Sequence, residues 1–155
     1  MERIEYDYPT YLKDLHKLAG MLPEDIDTIV AIARGGMSMA HMLGEYLDIR
    51  KVFVINAIGY EDTKKLGTPK IFNIPDLKSS EKIVVVDDIA DTGETLAEVM
   101  KRLKSIYPDK RFYTATLFYK QESSFKPDFW AKEAKGWIEF FWNEDLKRYN
   151  NSSNG

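Results

Sequence analysis

The stretch Lys82-Ile-Val-Val-Val-Asp-Asp-Ile-Ala-Asp-Thr-Gly-Glu-Thr95 joins a short apolar run to a polar turn. Ile83–Val86 consists of four β-branched residues, a run typical of a strand that is buried on both faces of a parallel sheet. Asp87 and Asp88 follow directly, where we expect the strand to emerge from the sheet. After the turn, apolar residues at helical spacing predict a helix over residues 93–106: Leu96, Val99, Met100 and Leu103.

The turn between this strand and this helix has the features of an anion-binding site. The first N–H groups of a helix lack partners within the helix, and the helix dipole favours negative charge there. Thr92 and Thr95 add hydroxyl donors, and Gly93 allows a ligand to approach the backbone closely. Acidic residues beside a phosphate would repel it unless they bind sugar hydroxyls or hydrated Mg²⁺. The alternative, in which Asp87 and Asp91 only form turns or cap the helix, explains one acid but not the whole group.

Residues 84–95 resemble the phosphoribosyl pyrophosphate (PRPP) signature of type I phosphoribosyltransferases. That signature has hydrophobic residues, two acids, two variable residues and Asp/Ser-Thr-Gly-x-Thr, and Val84-Val-Val-Asp-Asp-Ile-Ala-Asp-Thr-Gly-Glu-Thr95 matches it without gaps. The resemblance implies an α/β fold, the type I phosphoribosyltransferase fold. In this fold a mostly parallel sheet is flanked by helices and carries a flexible hood and a small C-terminal region around the base.

The resemblance also implies roles for the residues of the signature. Asp87 and Asp88 would hold the ribose hydroxyls, directly or through water bound to Mg²⁺, the expected cofactor. Asp91 would lie near the base as the general base or as the partner of N7. The PRPP 5-phosphate would lie against residues 90–95, which are Ala90, Asp91, Thr92, Gly93, Glu94 and Thr95. Glu94 departs from the pattern as an added acid, and we expect its side chain to point outward.

Length, composition and charge predict one soluble domain. The chain has 155 residues and a net charge of -3, and we assign residues 1–148 to a single domain and residues 149–155 to a polar flexible tail. The absence of cysteine excludes disulfides, zinc–thiolate sites and thiol nucleophiles. No signal-peptide core and no long apolar run occurs, so we expect a cytoplasmic protein that binds neither membrane nor nucleic acid.

A second strand–turn–helix unit precedes the signature. Residues 27–33 predict a short buried strand, Arg34-Gly35-Gly36 a turn, and residues 37–47 a helix. Backbone N–H groups at the glycines and the charge of Arg34 suit an anion, although a plain turn with a surface arginine is the alternative. Beside the signature, the turn resembles the family's pyrophosphate loop, with Arg34 and Gly35 as binding residues. In that family the peptide bond before the glycine pair is often cis.

The segment after the strand predicted at residues 51–58 is polar and rich in turn formers. A long segment of this kind is usually functional or disordered. It lies where the family has its flexible hood, with Tyr60 in the hood and Lys64 or Lys65 reaching the pyrophosphate. The alternative is a solvated β-hairpin with surface lysines.

Residues near the C-terminus are candidates for binding a planar base. Lys120 follows a strand predicted at residues 111–119, and ligands of open α/β sheets bind beyond the carboxyl ends of strands. A partly desolvated lysine suits a carbonyl oxygen, whereas the alternative is a solvated lysine at a strand end. Trp137-Ile138 resembles the Trp-Ile pair of xanthine–guanine-type phosphoribosyltransferases, in which the ring stacks on the purine. Phe141 departs from the proline common in relatives, and we interpret Phe140, Phe141 and Trp142 as packing residues.

These features together predict a purine salvage enzyme that transfers 5-phosphoribose from PRPP to xanthine, guanine or hypoxanthine. The resemblance implies PRPP and a purine base as small-molecule substrates and a homodimer or homotetramer. One alternative is a PRPP sensor that binds nucleic acid, which the net charge of -3 disfavours. The other is an enzyme for a different base, which Lys120 disfavours because a cation suits a carbonyl rather than the amino group of adenine.

Overall fold

The computed structural model of the protein describes residues 2–59 and 68–153, except for the side chains of residues 152 and 153. Tyr60, Lys64 and Lys65, the residues predicted for the hood, lie outside the described residues. The strands are β1 (Arg3–Tyr6), β2 (Thr28–Ala33), β3 (Lys51–Ile58), β4 (Lys70–Phe72), β5 (Lys82–Ala90), β6 (Arg111–Tyr119), β7 (Phe129–Glu133) and β8 (Trp137–Phe140). The helices are α1 (Tyr8–Met21), α2 (Met37–Leu47), α3 (Glu94–Ile106) and α4 (Phe141–Ser153).

A six-stranded sheet forms the centre of the fold, in the order β4-β3-β2-β5-β6-β7. All of its strand pairs are parallel except β3 with β4. A second sheet pairs β1 with β8 in parallel. This architecture confirms the predicted α/β class, with β2, β5 and β6 side by side, so that their carboxyl ends open at the same edge.

Both faces of the central sheet are covered, as the β-branched runs of β2 and β5 predict. On one face α1, α2 and an aromatic group around Tyr6 and Phe140 pack against Val84 and Val86. On the other face α3 packs against Ile83 and Val85. Within the part of the chain that the structure describes, no helix is sufficiently long and apolar to cross a membrane.

The structure extends the central strand beyond its predicted bounds. The acidic pair was expected where the central strand emerges, but β5 continues to Ala90 because Asp87, Ile89 and Ala90 pair in register with β6. At the N-terminus, α1 begins at Tyr8, directly after Asp7, whose carboxylate accepts a hydrogen bond from the backbone N–H of Thr10 at 2.9 Å.

The C-terminal segment differs more from its prediction. Residues 149–153 were assigned to a polar flexible tail, but they form the last turns of α4. The start of this helix is anchored by aromatic contacts, since the Tyr11 ring lies 5.3 Å from that of Phe141 and 5.4 Å from that of Trp142. Phe140 stacks on Trp142 at 4.6 Å. The predicted packing role of these aromatic side chains agrees with these contacts.

Candidate active site

The candidate site lies at the carboxyl ends of β2, β5 and β6. Arg34 follows β2, Asp87 and Asp88 lie near the carboxyl end of β5, and Lys120 follows β6. Because these strands are neighbours and parallel, their ends meet at one edge of the sheet, where ligands of open α/β folds bind. The ends of β2, β5 and β6 therefore converge on one site.

The turn after β2 packs directly against the acidic pair. A Cβ atom on Gly35 would lie 2.4 Å from Oδ2 of Asp88, so any side chain at this position would displace the carboxylate. The Ala33–Arg34 peptide bond is cis. The Arg34 side chain is exposed and forms no ion pair with another described residue. The turn thus carries Arg34, unpaired among the described residues, next to the glycine that contacts Asp88.

Asp87 and Asp88 form a partly exposed pair of acids. The backbone N–H of Asp88 donates to Oδ1 of Asp87 at 2.9 Å. Burial raises the pKa of both carboxyls above the usual value of 3.8, and the neighbouring charge of Asp88 raises the pKa of Asp87 further. Neither carboxylate has a salt bridge to a lysine or arginine of the described chain. Such a pair favours ligands that supply positive charge or hydroxyl donors.

This donor set fits Mg²⁺, which prefers carboxylate oxygens and retains several water or substrate ligands. No group of three or more His, Asp or Glu side chains placed to hold a metal occurs among the described residues. A Mg²⁺ ion at Asp87 and Asp88 would therefore complete its coordination with water and with oxygen atoms of the substrate.

The turn from Asp91 to Gly93 connects β5 to α3. Gly93 has φ of +90°, and a Cβ atom there would lie 2.5 Å from the backbone nitrogen of Phe125. The Thr92 carbonyl accepts hydrogen bonds from the N–H and the hydroxyl of Ser124, at 2.8 and 2.9 Å. The loop at residues 123–125 therefore supports the outer side of the turn, a contact that the sequence analysis missed.

Ala90, Glu94 and Thr95, which belong to the same segment, occupy different environments. Ala90 is buried, and its carbonyl accepts a hydrogen bond from the backbone N–H of Lys120 at 3.1 Å. Thr95 is partly buried, with its hydroxyl oxygen 3.8 Å from the position of a Cβ on Gly59, at the end of β3. Glu94 is exposed and lines a groove with Thr68 and Lys101, which is separate from the acidic pair.

A pocket beside the acids brings the predicted base-binding residues together. Ile138 is buried, whereas the Trp137 ring is 53% exposed and can receive a planar ligand. Nζ of Lys120 lies 2.8 Å from Oδ1 of Asp91, so the two side chains assigned to different atoms of the base contact each other. The lining comprises Asp88, Ile89, Asp91, Lys120, Gly136, Trp137, Ile138, Phe140 and Asn143.

A second crevice adjoins this pocket through Asp88 and Asn143, which line both. Its other lining residues are Arg34, Gly35, Trp142, Leu146 and Lys147. Asn143, Leu146 and Lys147 were not predicted from the sequence, because no element and no role was assigned to residues 143–148. The spacing of Trp142, Leu146 and Tyr149, at i, i+4 and i+7, is a helical signal that indicates α4.

A comparison with family models identifies a phosphoribosyl transferase domain at residues 5–148. This chain belongs to the phosphoribosyl transferase family. It is 40% identical to a Helicobacter pylori xanthine-guanine-hypoxanthine phosphoribosyltransferase, with a TM-score of 0.90 over 97% of this chain and 99% of the other. A purine phosphoribosyltransferase from Pyrococcus horikoshii is 32% identical, with a TM-score of 0.78 over 92% of this chain and 95% of that one.

The comparison with curated protein sequences agrees with the comparison of structures. The xanthine-guanine phosphoribosyltransferase of Idiomarina loihiensis is 31% identical over 127 residues, which are 79% of this chain and 74% of that protein. The matched family domain includes β5, the turn at residues 91–93 and Trp137-Ile138. The phosphoribosyltransferase family predicted from residues 84–95 is therefore confirmed.

Proposed function

We propose that this phosphoribosyltransferase transfers 5-phosphoribose from PRPP to the N9 of a 6-oxopurine base and releases pyrophosphate, a purine salvage reaction. The observation that carries the proposal is the continuity of the two adjoining cavities. One contains Arg34 and Gly35, the other contains Lys120 and Trp137, and Asp88 lies in both. A ribose at Asp88 would have space for pyrophosphate on one side and for a base on the other.

The acidic pair is proposed to hold the ribose. Asp87 and Asp88 would accept hydrogen bonds from the 2- and 3-hydroxyls, directly or through a Mg²⁺ ion whose charge offsets that of the departing pyrophosphate. Their raised pKa values reflect carboxylates that are poorly solvated and lack a cationic partner. A hydroxyl-rich sugar and a divalent cation both supply what this pair lacks.

The phosphate groups of PRPP are proposed to lie at the two turns. Arg34 and the backbone of Gly35 would bind the pyrophosphate. The contact of Gly35 with Asp88 supports this proposal, because Asp88 would hold the ribose. Residues 90–95 would surround the 5-phosphate with backbone N–H groups at the start of α3. We also propose that the hood, with Tyr60 and Lys64 or Lys65, covers the bound substrates.

The base is proposed to bind between Trp137 and Lys120. The exposed indole would stack on the purine, and Lys120 would donate a hydrogen bond to the 6-oxygen. Backbone groups near Ile138 would form hydrogen bonds with the other edge of the base. Asp91 would act at the imidazole side of the base as the proton acceptor or the partner of N7. The Lys120–Asp91 contact must then open, since each of these side chains exchanges its partner for an atom of the base.

A pyrophosphate-release assay with PRPP, Mg²⁺ and a panel of bases tests this function. The panel contains xanthine, guanine, hypoxanthine, adenine, uracil and orotate. We expect turnover with one or more of the first three bases and none with adenine. Turnover with only adenine or a pyrimidine would contradict the proposed contact of Lys120 with a 6-oxygen. The absence of turnover with every base of the panel would contradict the transfer reaction.

A further inference from the structure

Helix α4 is held in a defined position beside the candidate site. It follows β8 without an intervening loop, so the strand that carries Trp137 leads directly into the helix. Phe140 stacks on Trp142 at 4.6 Å, which secures the first turn. Farther along α4, Arg148 forms an ion pair with Glu5 of β1 at 3.1 Å, and an ion pair this exposed contributes little to stability. The aromatic packing of the first turn therefore sets the orientation of α4 relative to the site.

One face of α4 lines the same crevice as the turn after β2. Asn143, Leu146 and Lys147 are spaced i, i+3 and i+4, which places their side chains on the same side of a helix. All three line the crevice that also contains Arg34 and Gly35. The two sides of this crevice thus each contribute a cation.

Acidic residues line the crevice and the adjoining pocket, so an anionic ligand that binds there needs positive groups of the protein. Asp88 lines the crevice, and Asp91 lines the adjoining pocket, where it engages the ammonium group of Lys120. Arg34 and Lys147 form no ion pair with another residue in the described chain. A polyphosphate ligand entering beside these acids would gain most from these two free cations.

We propose that Lys147 is a further phosphate-binding residue, which contacts the pyrophosphate group of PRPP from the side opposite Arg34. The inference rests on the proposed function, because it assumes that PRPP occupies this crevice. An exposed lysine on a helix has a long, flexible side chain and acts as a point charge. Its ammonium group can therefore remain in contact with the pyrophosphate group while that group is part of PRPP and after it has become the leaving product.

The test compares Lys147→Gln with Arg148→Gln. Both variants lose one positive charge at neighbouring positions of α4, but Arg148 faces Glu5 and Asp145 instead of the crevice. For Lys147→Gln we expect the KM for PRPP and the inhibition constant of pyrophosphate to rise about tenfold, the effect of losing one charge-assisted hydrogen bond. The KM for the base should change less than twofold. Arg148→Gln should leave the constants for PRPP and pyrophosphate unchanged.

A binding measurement separates this inference from the proposed function. Calorimetric titration with magnesium pyrophosphate needs no turnover, so it applies even if no base of the panel reacts. Weaker binding to Lys147→Gln, with binding restored in Lys147→Arg and retained in Arg148→Gln, would support the role of Lys147. Equal binding to all of these variants, with unchanged melting temperatures, would overturn it while leaving the transfer reaction intact.

Discussion

Asp91 and Lys120 are the two residues whose assigned roles depend most on each other. Their side chains lie 2.8 Å apart, with Asp91 more than half exposed and Lys120 22% exposed. An ion pair so open to solvent contributes only about 0–1 kcal/mol. A base that bonds to both side chains therefore displaces the pair at small cost, and the contact holds Lys120 at the strand end until then.

We predict that Asp91→Asn lowers kcat by about 10²–10⁴-fold, the usual contribution of a positioned proton acceptor. The KM for PRPP should change much less, because ribose and phosphates bind elsewhere. Steady-state pyrophosphate release with the preferred base measures both constants. Glu122→Gln, the same type of change at an exposed residue after Lys120, should retain normal kinetics. Near-normal turnover in Asp91→Asn would refute the role of Asp91.

Asp87 is predicted to lower the stability of the free protein. Its pKa is raised above the usual 3.8 by burial and by Asp88, so the native state binds the proton more tightly than the unfolded state. The free energy of unfolding then falls as the pH rises from 3.8 through the raised pKa and stays lower above it. Asp87→Asn should consequently raise the melting temperature at neutral pH while weakening the binding of PRPP with Mg²⁺.

Thermal denaturation without Mg²⁺, from about pH 4 to about pH 8, measures this effect. The difference between Asp87→Asn and the wild type should grow with pH. Asp109→Asn, at an exposed turn, should follow the wild type throughout. A melting temperature of Asp87→Asn below that of the wild type at neutral pH would show that Asp87 stabilises the free fold.

At the level of elements, the turn before α3 depends on a glycine and on a neighbouring loop. Gly93 adopts φ of +90°, which side chains rarely accept, and it packs on the backbone of Ser124 and Phe125. The same turn offers the N–H groups of α3 to the proposed 5-phosphate. Its geometry therefore links the stability of the fold to PRPP binding.

Gly93→Ala should lower the free energy of unfolding by about 1–3 kcal/mol, because the new Cβ both strains the backbone and meets the loop. PRPP affinity should fall with it. Gly20→Ala is the matched control, since a Cβ on Gly20, within α1, meets no atom within 4 Å. It should raise stability by about 0.5–1 kcal/mol. Urea denaturation compares the variants, and an unaltered midpoint for Gly93→Ala would contradict the assignment.

At the scale of the whole molecule, the proposed ligand connects segments that are distant in sequence. Arg34, Asp88, Trp137 and Lys147 come from four parts of the chain and meet around two adjoining cavities. A ligand that bridges them binds the native state but not the unfolded chain. Its binding free energy is then added to the stability of the fold.

We predict that PRPP with Mg²⁺ raises the melting temperature. At a concentration 100 times the Kd the stabilisation is about 2.7 kcal/mol, which corresponds to about 5–10 °C for a chain of this size. Differential scanning calorimetry measures the shift, and Asp87→Asn and Asp88→Asn should abolish most of it. A shift of equal size in those variants would place PRPP away from the acidic pair.

The sequence by itself determined the features that follow from local patterns. The β-branched run before Asp87 predicted a buried parallel strand, and the spacing of Leu96, Val99 and Leu103 predicted α3. Both predictions succeeded because a hydrophobic run and a helical period depend only on residues close together in the sequence. The compact signature at residues 84–95 indicated the family for the same reason. The bounds of β3 and β6 also agree with their predictions.

Tertiary structure decided what depends on contacts between distant segments. The extension of β5 to Ala90 requires pairing with β6, and residues 149–153 continue a helix whose start packs against Tyr11. Local composition favoured an irregular end of the chain, and packing overrode it. The contact between Asp91 and Lys120, and the crevice that Lys147 shares with Arg34, arise because the folded chain brings separate strand and helix ends to one edge of the sheet. No local pattern in the sequence specifies those contacts.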